Sequence, residues 1–327
     1  MIARLVEAWD RHQVPLYLAA IATGAAAGLL APHLAPTLEH AIEPVLMLLL
    51  FATFLGVPLI EVGRSFKDAR FLVTVLLTNF VIVPAIAWSL SRFVADDRGL
   101  MLGVLLVLLT PCIDYVIVFT GLAGGARARL LAAAPLLMLV QILLLPLYLL
   151  LFVGADVLDV IDIAPFAEAF LLLIVIPLAS AAIVQAIARR HRAGRAIETA
   201  MAGAMVPLMM LTLAVVISSQ VAAVGSQLGA LVRVVPLYIA FVIVAVAIGV
   251  FAGRAARLDI PATRAVAFSL ATRNSLVVLP LALALPTSLA IAPLAVVTQT
   301  IVELIAIVIL VRLVPKLTPH PTASIPT

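Results

Sequence analysis

The sequence predicts an all-α membrane protein of ten transmembrane helices, set as two inverted five-helix repeats, with helices 4 and 9 broken and crossing near the midplane. Three observations predict it. Of the 327 residues, 65% are apolar and only 11% charged, against roughly half and a quarter in a soluble domain. The apolar residues come in runs long enough for the ~20 helical residues that cross a ~30 Å hydrocarbon core. Short matching stretches also recur in the two halves at a nearly constant offset. Backbone polar groups cannot be left unpaired in lipid. The runs are rich in Leu and Ala and show no two-residue alternation, so they read as helices and a β-barrel is excluded.

The spans fall at roughly 15–31, 42–62, 70–94, 99–122, 129–153, 164–188, 197–219, 231–253, 262–286 and 289–312. The first, Pro15 to Ala31, has charged flanks but no small-residue cleavage pattern after it, so it reads as a helix and not as a signal peptide. Ten spans sort the charges. Sixteen of the twenty Lys and Arg fall on one side, in the termini and in the loops after spans 2, 4, 6 and 8. Arg92, Arg98 and Arg233 fall on the other, and Arg273 lies inside a span. The positive-inside rule then places both termini in the cytoplasm, as expected for a multi-pass protein of a bacterial plasma membrane. The loop after span 5, with Asp156, Asp159 and Asp162 and no base, suits the outside.

The repeat is read from three pairs. Pro44-Val-Leu-Met-Leu-Leu-Leu matches Pro207-Leu-Met-Met-Leu-Thr-Leu, Phe80-Val-Ile-Val recurs as Phe241-Val-Ile-Val, and Leu131-Ala-Ala-Ala-Pro-Leu, with Gln141, matches Leu289-Ala-Ile-Ala-Pro-Leu, with Gln299. Five helices per half would make the second half enter from the opposite side, a build common among alternating-access transporters. The expected organisation is one polytopic domain over 1–327, with repeat one about 15–153, repeat two about 164–312, and a flexible Pro- and Thr-rich tail at 316–327.

Several function classes drop out. One cysteine forms no internal disulfide. The five histidines lie in loops or termini at no metal-site spacing. No P-loop or other nucleotide-binding glycine motif occurs, so neither ATP nor another cofactor is expected. The net charge of +4 sits in short loops between spans and does not mark a nucleic-acid face. An enzyme would need a nucleophile–base pair or a metal constellation within the spans, and Cys112 has no intramembrane histidine. What remains is a carrier of a small inorganic or organic substrate and a coupling ion, H+ or Na+, in a lipid bilayer.

The chemistry concentrates in two polar knots. Span 4 reads Thr110-Pro111-Cys112-Ile-Asp114-Tyr115 within an apolar run, and span 9 reads Thr272-Arg273-Asn274-Ser275. Proline removes a backbone donor and disfavours helix just before it. A charge in mid-span is costly and points to function by default. Asp114 and Arg273 carry opposite charge, and they read equally as a switchable pair lining the site or as a static pair that locks a crossing. Glu303 lies deep in span 10 with Gln299 one turn before it, where a carboxyl is a plausible proton carrier. Thr272, Asn274 and the freed carbonyls of the break can bind substrate hydroxyls. Asn79 and Gln141 read as interhelical hydrogen-bonding glue.

These residues carry a resemblance. The chain resembles the bile acid/sodium symporter superfamily and, within it, the arsenite efflux permeases of the arsenical-resistance type. That family has a cysteine in the break of helix 4, a short Gly-containing turn, a Gln-bearing helix 5, an Asn-containing break in helix 9 and a glutamate in helix 10. Here these are Cys112, Gly124-Gly125, Gln141, Asn274 and Glu303. The resemblance implies a secondary transporter that exports arsenite, or a similar trivalent metalloid, by proton antiport, with Cys112 as the thiol contact and Glu303 as the acidic residue. One thiol gives a reversible contact that releases its cargo. The chain departs from the family at Pro111, where Arg is usual, and at Asp114 and Arg273. The alternative is a sodium- or proton-coupled carrier of a small organic anion, with Arg273 as the carboxylate partner.

Overall fold

The computed structural model describes residues 9, 12–57, 68–113, 115–153, 168 and 170–319, and they are helical almost throughout. Helix α1 spans Gln13–Leu30 and α2 spans Ala35–Gly56, with a 3-10 turn between them at Pro32–Leu34. Helix α3 covers Ala69–Val94, α4 Arg98–Leu108, α5 Tyr115–Leu122 and α6 Arg127–Val153. Then come α7 at Ile176–Ala188, α8 at Arg192–Ser226 and α9 at Val234–Ala255. Helix α10 is Ile260–Ala271, α11 Ser275–Leu283 and α12 Ile291–Leu317. Short polar side chains set several starts. Asp68, Asp97 and Asp259 accept the first free N–H groups of α3, α4 and α10 at 3.1, 3.0 and 2.8 Å, which satisfies donors that a helix start otherwise leaves orphaned.

The ten-span arrangement is corrected by these helices. Among the described residues, six stretches are long and apolar enough to cross a membrane: Pro32–Gly56, Ala69–Val94, Arg127–Val153, Arg192–Val221, Leu228–Ala255 and Ile291–Leu317. Four more apolar helices, Pro15–Leu30, Arg98–Leu108, Ile176–Ala188 and Ile260–Ala271, are shorter. The physical reason is that hydropathy runs on where the helix does not. The expected span 99–122 is α4 and α5 with non-helical residues between, and 262–286 is α10 and α11. At 1.5 Å per residue, the eleven residues of α4 cover about 16 Å, half of the ~30 Å core. The division into two inverted five-helix repeats falls with that count, as does the midplane crossing drawn from it. The acidic residues 156, 159 and 162 and the basic residues 64 and 67 lie outside the described residues. At the other end α12 continues through Leu317, and Thr318 is buried.

The helices gather into two bundles. One packs α1 and α2 against α8, with α7 on α2 and α8. The other holds α3 to α6 and α9 to α12, joined mainly through α9 on α10, α4 on α12 and α11 on α12. Three of these contacts are built on pairs of glycines four residues apart. A Cβ on Gly28 of α1 would sit 2.3 Å from the carbonyl oxygen of Ser218, one on Gly103 of α4 2.7 Å from that of Ala292, and one on Gly249 of α9 2.5 Å from the Cα of Ala267. Gly24, Gly99 and Gly253 are the companions, each against the same partner helix. Small residues at this spacing let membrane helices approach to backbone contact, where dispersion and weak polar contacts replace the missing hydrophobic drive.

Helix α3 is not uniform. Thr78–Ile82 form a π turn just before Pro84. Proline has no N–H for the carbonyl four residues back, which is that of Phe80. The Tyr148 hydroxyl of α6 donates to that freed carbonyl. Asn79 lies within this widened turn, fully buried, and the site depends on it.

Candidate functional site

The two interrupted backbones pair with each other. Between α4 and α5, Pro111 lies in an antiparallel bridge with Arg273, which sits between α10 and α11. The Cys112 N–H donates to the Thr272 carbonyl at 3.2 Å, and the Asn274 N–H donates to the Thr110 carbonyl at 2.8 Å. Each break leaves peptide groups that helix would have satisfied, and in lipid they must find partners. They find one another. Thr110 and Thr272 turn their hydroxyls back onto their own helices, at Leu106, Val107 and Phe268. Asn274 caps α11 by accepting the Val277 N–H at 3.2 Å.

Glu303 of α12 is bound into this pairing. Its Oε2 accepts the peptide N–H of Arg273 at 2.7 Å and Gln299 Nε2 one turn away at 2.5 Å. Its Oε1 accepts the Tyr115 hydroxyl at 2.5 Å. The same hydroxyl lies 3.2 Å from the Arg273 carbonyl. Three donors from α5, α12 and the second break thus converge on one carboxyl that is 1% exposed. Such bonds to an ionised acceptor are worth about 1.5–3 kcal/mol each.

The Arg273 side chain, 0% exposed, points elsewhere. Its terminal nitrogens donate to the carbonyls of Ser269 and Leu270 at 2.6 and 2.8 Å, to Asn79 Oδ1 at 2.9 Å and to the Leu108 carbonyl at 3.3 Å. The Phe241 ring lies 5.4 Å below the guanidinium carbon. The carbonyls end α4 and α10, where helix dipoles favour a cation. Asn79 is held in turn by the Val75 carbonyl and by Ser269 Oγ. A buried cation is thus neutralised by two helix ends and a carboxamide, with Glu303 on the peptide beside it. The partner foreseen for Arg273, Asp114, lies outside the described residues.

The expected residues Cys112, Thr272, Arg273, Asn274, Gln299 and Glu303 therefore meet, around a break that begins at Thr110 and Pro111. Gln141 is buried on α6, and its carbonyl oxygen has no hydrogen-bond partner among the described residues. Sequence reasoning assigned no role to Tyr115, Ser269 or Ser275 and passed over Thr300. A signal existed for two of them: Tyr115 closes the first knot, and Thr300 lies three residues before Glu303. Three buried polar atoms at the site also have no partner among the described residues: Arg273 Nε, Asn274 Nδ2 and Gln299 Oε1. Buried polar atoms are normally satisfied, so each calls for a ligand or water.

Beside the break runs the seam between the bundles. Thr300 donates to Ser275 Oγ at 2.8 Å there. Facing them are Ile21 of α1 and Leu213, Val216 and Ile217 of α8, around a cavity of only about 10 Å³, roughly the least that holds one water. The seam is closed.

Long apolar helices, discontinuous ones whose freed backbone lines a polar centre, and a buried carboxyl at that centre define a multi-pass integral membrane protein built for secondary transport. Residues 43–231, more than half of the chain, match the sodium bile acid symporter family, and the chain belongs to that family. Membership in a transporter family fits a non-enzymatic transport protein. The match includes the first interruption and ends before the second. No curated protein matches the chain.

Proposed function

We propose that this protein carries a small organic anion across the membrane, coupled to Na+ or H+. The observation that carries the reading is the sorting of unsatisfied groups at the paired breaks. Arg273 Nε and Asn274 Nδ2 are donors without acceptors, and Gln299 Oε1 is an acceptor without a donor, one turn from Glu303. The two donors suit an anionic oxygen. The acceptor and the carboxylate suit a cation or a proton. A site that holds both together binds each better in the presence of the other, and that is coupling.

The chemistry follows from the Glu303 contacts. A cation or proton on the carboxylate weakens its hold on the Arg273 N–H and the Tyr115 hydroxyl. Tyr115 has a single hydrogen, and the Arg273 carbonyl is its second acceptor. Loading Glu303 thus changes the bonding of the paired breaks at the point where substrate binds. The bundle of α1, α2, α7 and α8 then rocks against the other and opens the seam at Ser275 and Thr300 to one side of the membrane at a time. Thr272 and the break carbonyls take substrate hydroxyls.

A metalloid reading has its own support in Cys112, wholly buried within the break. One experiment separates the two. Proteoliposomes are given a Na+ or proton gradient, inward for symport or outward for antiport, and entry of labelled taurocholate, a small monocarboxylate and arsenite is followed. Gradient-dependent entry of an organic anion is expected, lost in Glu303→Gln and retained in Cys112→Ser. Gradient-dependent arsenite movement that disappears in Cys112→Ser, with no organic anion carried, overturns the anion reading in favour of metalloid transport.

A further inference from the structure

On the outer face of the second bundle, α9 and α12 leave an apolar groove of about 580 Å³. Ile239 and Ile243 of α9 and Ile305, Ile309, Leu313 and Leu317 of α12 line it, and all six are exposed. The two helices run parallel, since the Tyr238 hydroxyl reaches the Ala295 carbonyl near one end and Arg254 reaches the Leu317 carbonyl near the other. Along α12 the groove follows Val302 to Leu317, about 22 Å at 1.5 Å per residue. That exceeds half of the ~30 Å hydrocarbon core, so it can take the tail of one leaflet's lipid.

The groove has a charged end. Lys316 lies seven residues beyond Ile309 and therefore on the same face of α12, and Arg312 flanks that face one turn earlier. Arg254 of α9 donates to the Leu317 carbonyl at 2.7 Å and closes the end. All three are exposed, and among the described residues none is in an ion pair. Basic pockets between membrane helices suit anionic headgroups. A second copy fits worse. A two-fold contact sets the same patch on itself, and both copies would bring three cations to the same depth.

We propose that this groove is a binding site for an anionic phospholipid, with an acyl chain between α9 and α12 and the phosphate against Lys316, Arg312 and Arg254. The site is independent of the transported substrate. It is tied to the centre through α12, since Val302 lines the groove and the next residue is Glu303.

The test is native mass spectrometry of the purified, delipidated protein. It is offered phosphatidylglycerol or phosphatidylcholine of the same chains. Each cation near an anionic headgroup is worth about fivefold in binding, so the three should give about a 125-fold preference for phosphatidylglycerol. Lys316→Gln with Arg312→Gln should cut that preference about 25-fold, to the roughly fivefold that Arg254 supplies, while both lipids still bind weakly. Ile309→Trp, which fills the groove, should lose both. Melting temperatures of the variants equal to that of the wild type establish that each is folded, and Ile305→Trp replaces Ile309→Trp if the latter is not. Equal retention of the two lipids by the wild type, or unchanged preference in the double variant, overturns the proposal. So does a dimer without bound lipid that Ile309→Trp abolishes.

Discussion

Tyr115→Phe removes one oxygen from the centre of the site and little else. The ring is 7% exposed and packs edge-on against Phe119 at 6.3 Å and 82°, a contact that Phe keeps. What goes is the donor 2.5 Å from Glu303 Oε1. A hydrogen bond to an ionised carboxylate contributes about 1.5–3 kcal/mol, and one to a neutral amide oxygen about 0.5–1.5 kcal/mol. Tyr115→Phe should therefore cost about 1.5–3 kcal/mol in the native protein and about 0.5–1.5 kcal/mol in a Glu303→Gln background. The difference, about 1 kcal/mol, is read from a double-mutant cycle. Four purified proteins are melted in detergent. At about 2 °C per kcal/mol for a chain of this size, the expected losses are about 3–6 °C and about 1–3 °C. Equal losses in the two backgrounds would mean that Tyr115 does not act through Glu303, and the Proposed coupling of the carboxyl to the break through its hydroxyl would be wrong.

Other outcomes follow from the same geometry. Gly103→Leu drives a side chain into the Ala292 backbone, and overpacking of about 1–3 kcal/mol should lower the melting temperature and displace α12, so that transport in proteoliposomes falls with it. Arg273→Lys keeps the charge but not the planar fork that reaches Ser269, Leu270, Asn79 and Leu108, and should abolish transport while surface expression persists. Tyr148→Phe leaves the Phe80 carbonyl without its donor and should cost about 1 kcal/mol, seen as faster hydrogen exchange at the π turn of α3. Asp96 accepts from Arg233 at 2.5 Å, which holds its carboxyl below the usual carboxylate range. Its folded value is depressed, so the stabilisation is present above the unfolded value of 3.8 and is lost as pH falls through the lower folded one. Acid melting curves of the wild type and Arg233→Gln should therefore converge below pH ~4, and high salt should narrow their gap at neutral pH.

Much of the site was legible, because a polar residue in an apolar run is conspicuous. Thr110, Pro111, Thr272, Asn274 and Glu303 stand out in the sequence, and the polar stretches at Thr110-Pro111 and Thr272-Asn274 coincide with interruptions of helix. The spans were less legible. Hydropathy counts apolar letters, and Leu109 and Ile113 are as apolar outside a helix as within one. The neutralisation of Arg273 was illegible for a different reason. Charge-matching pointed to Asp114, whereas three of Arg273's four hydrogen-bond acceptors among the described residues are main-chain carbonyls, which every residue has and no letter marks. The glycine pairs at 24 and 28, 99 and 103, and 249 and 253 were open to view. Their meaning depends on which helix faces which, and spacing alone does not tell that.

The glycine contacts carry a mechanical consequence. Where two backbones touch, no side chain can yield as a cushion, so α1 with α8, α4 with α12 and α9 with α10 move as welded pairs. The line between Ile21, Leu213 and Val216 on one side and Leu279 and Val297 on the other has no such weld, only side chains that can slide. The rocking proposed above would then follow that one line, and the carboxyl of Glu303 lies on α12, wholly on one side of it.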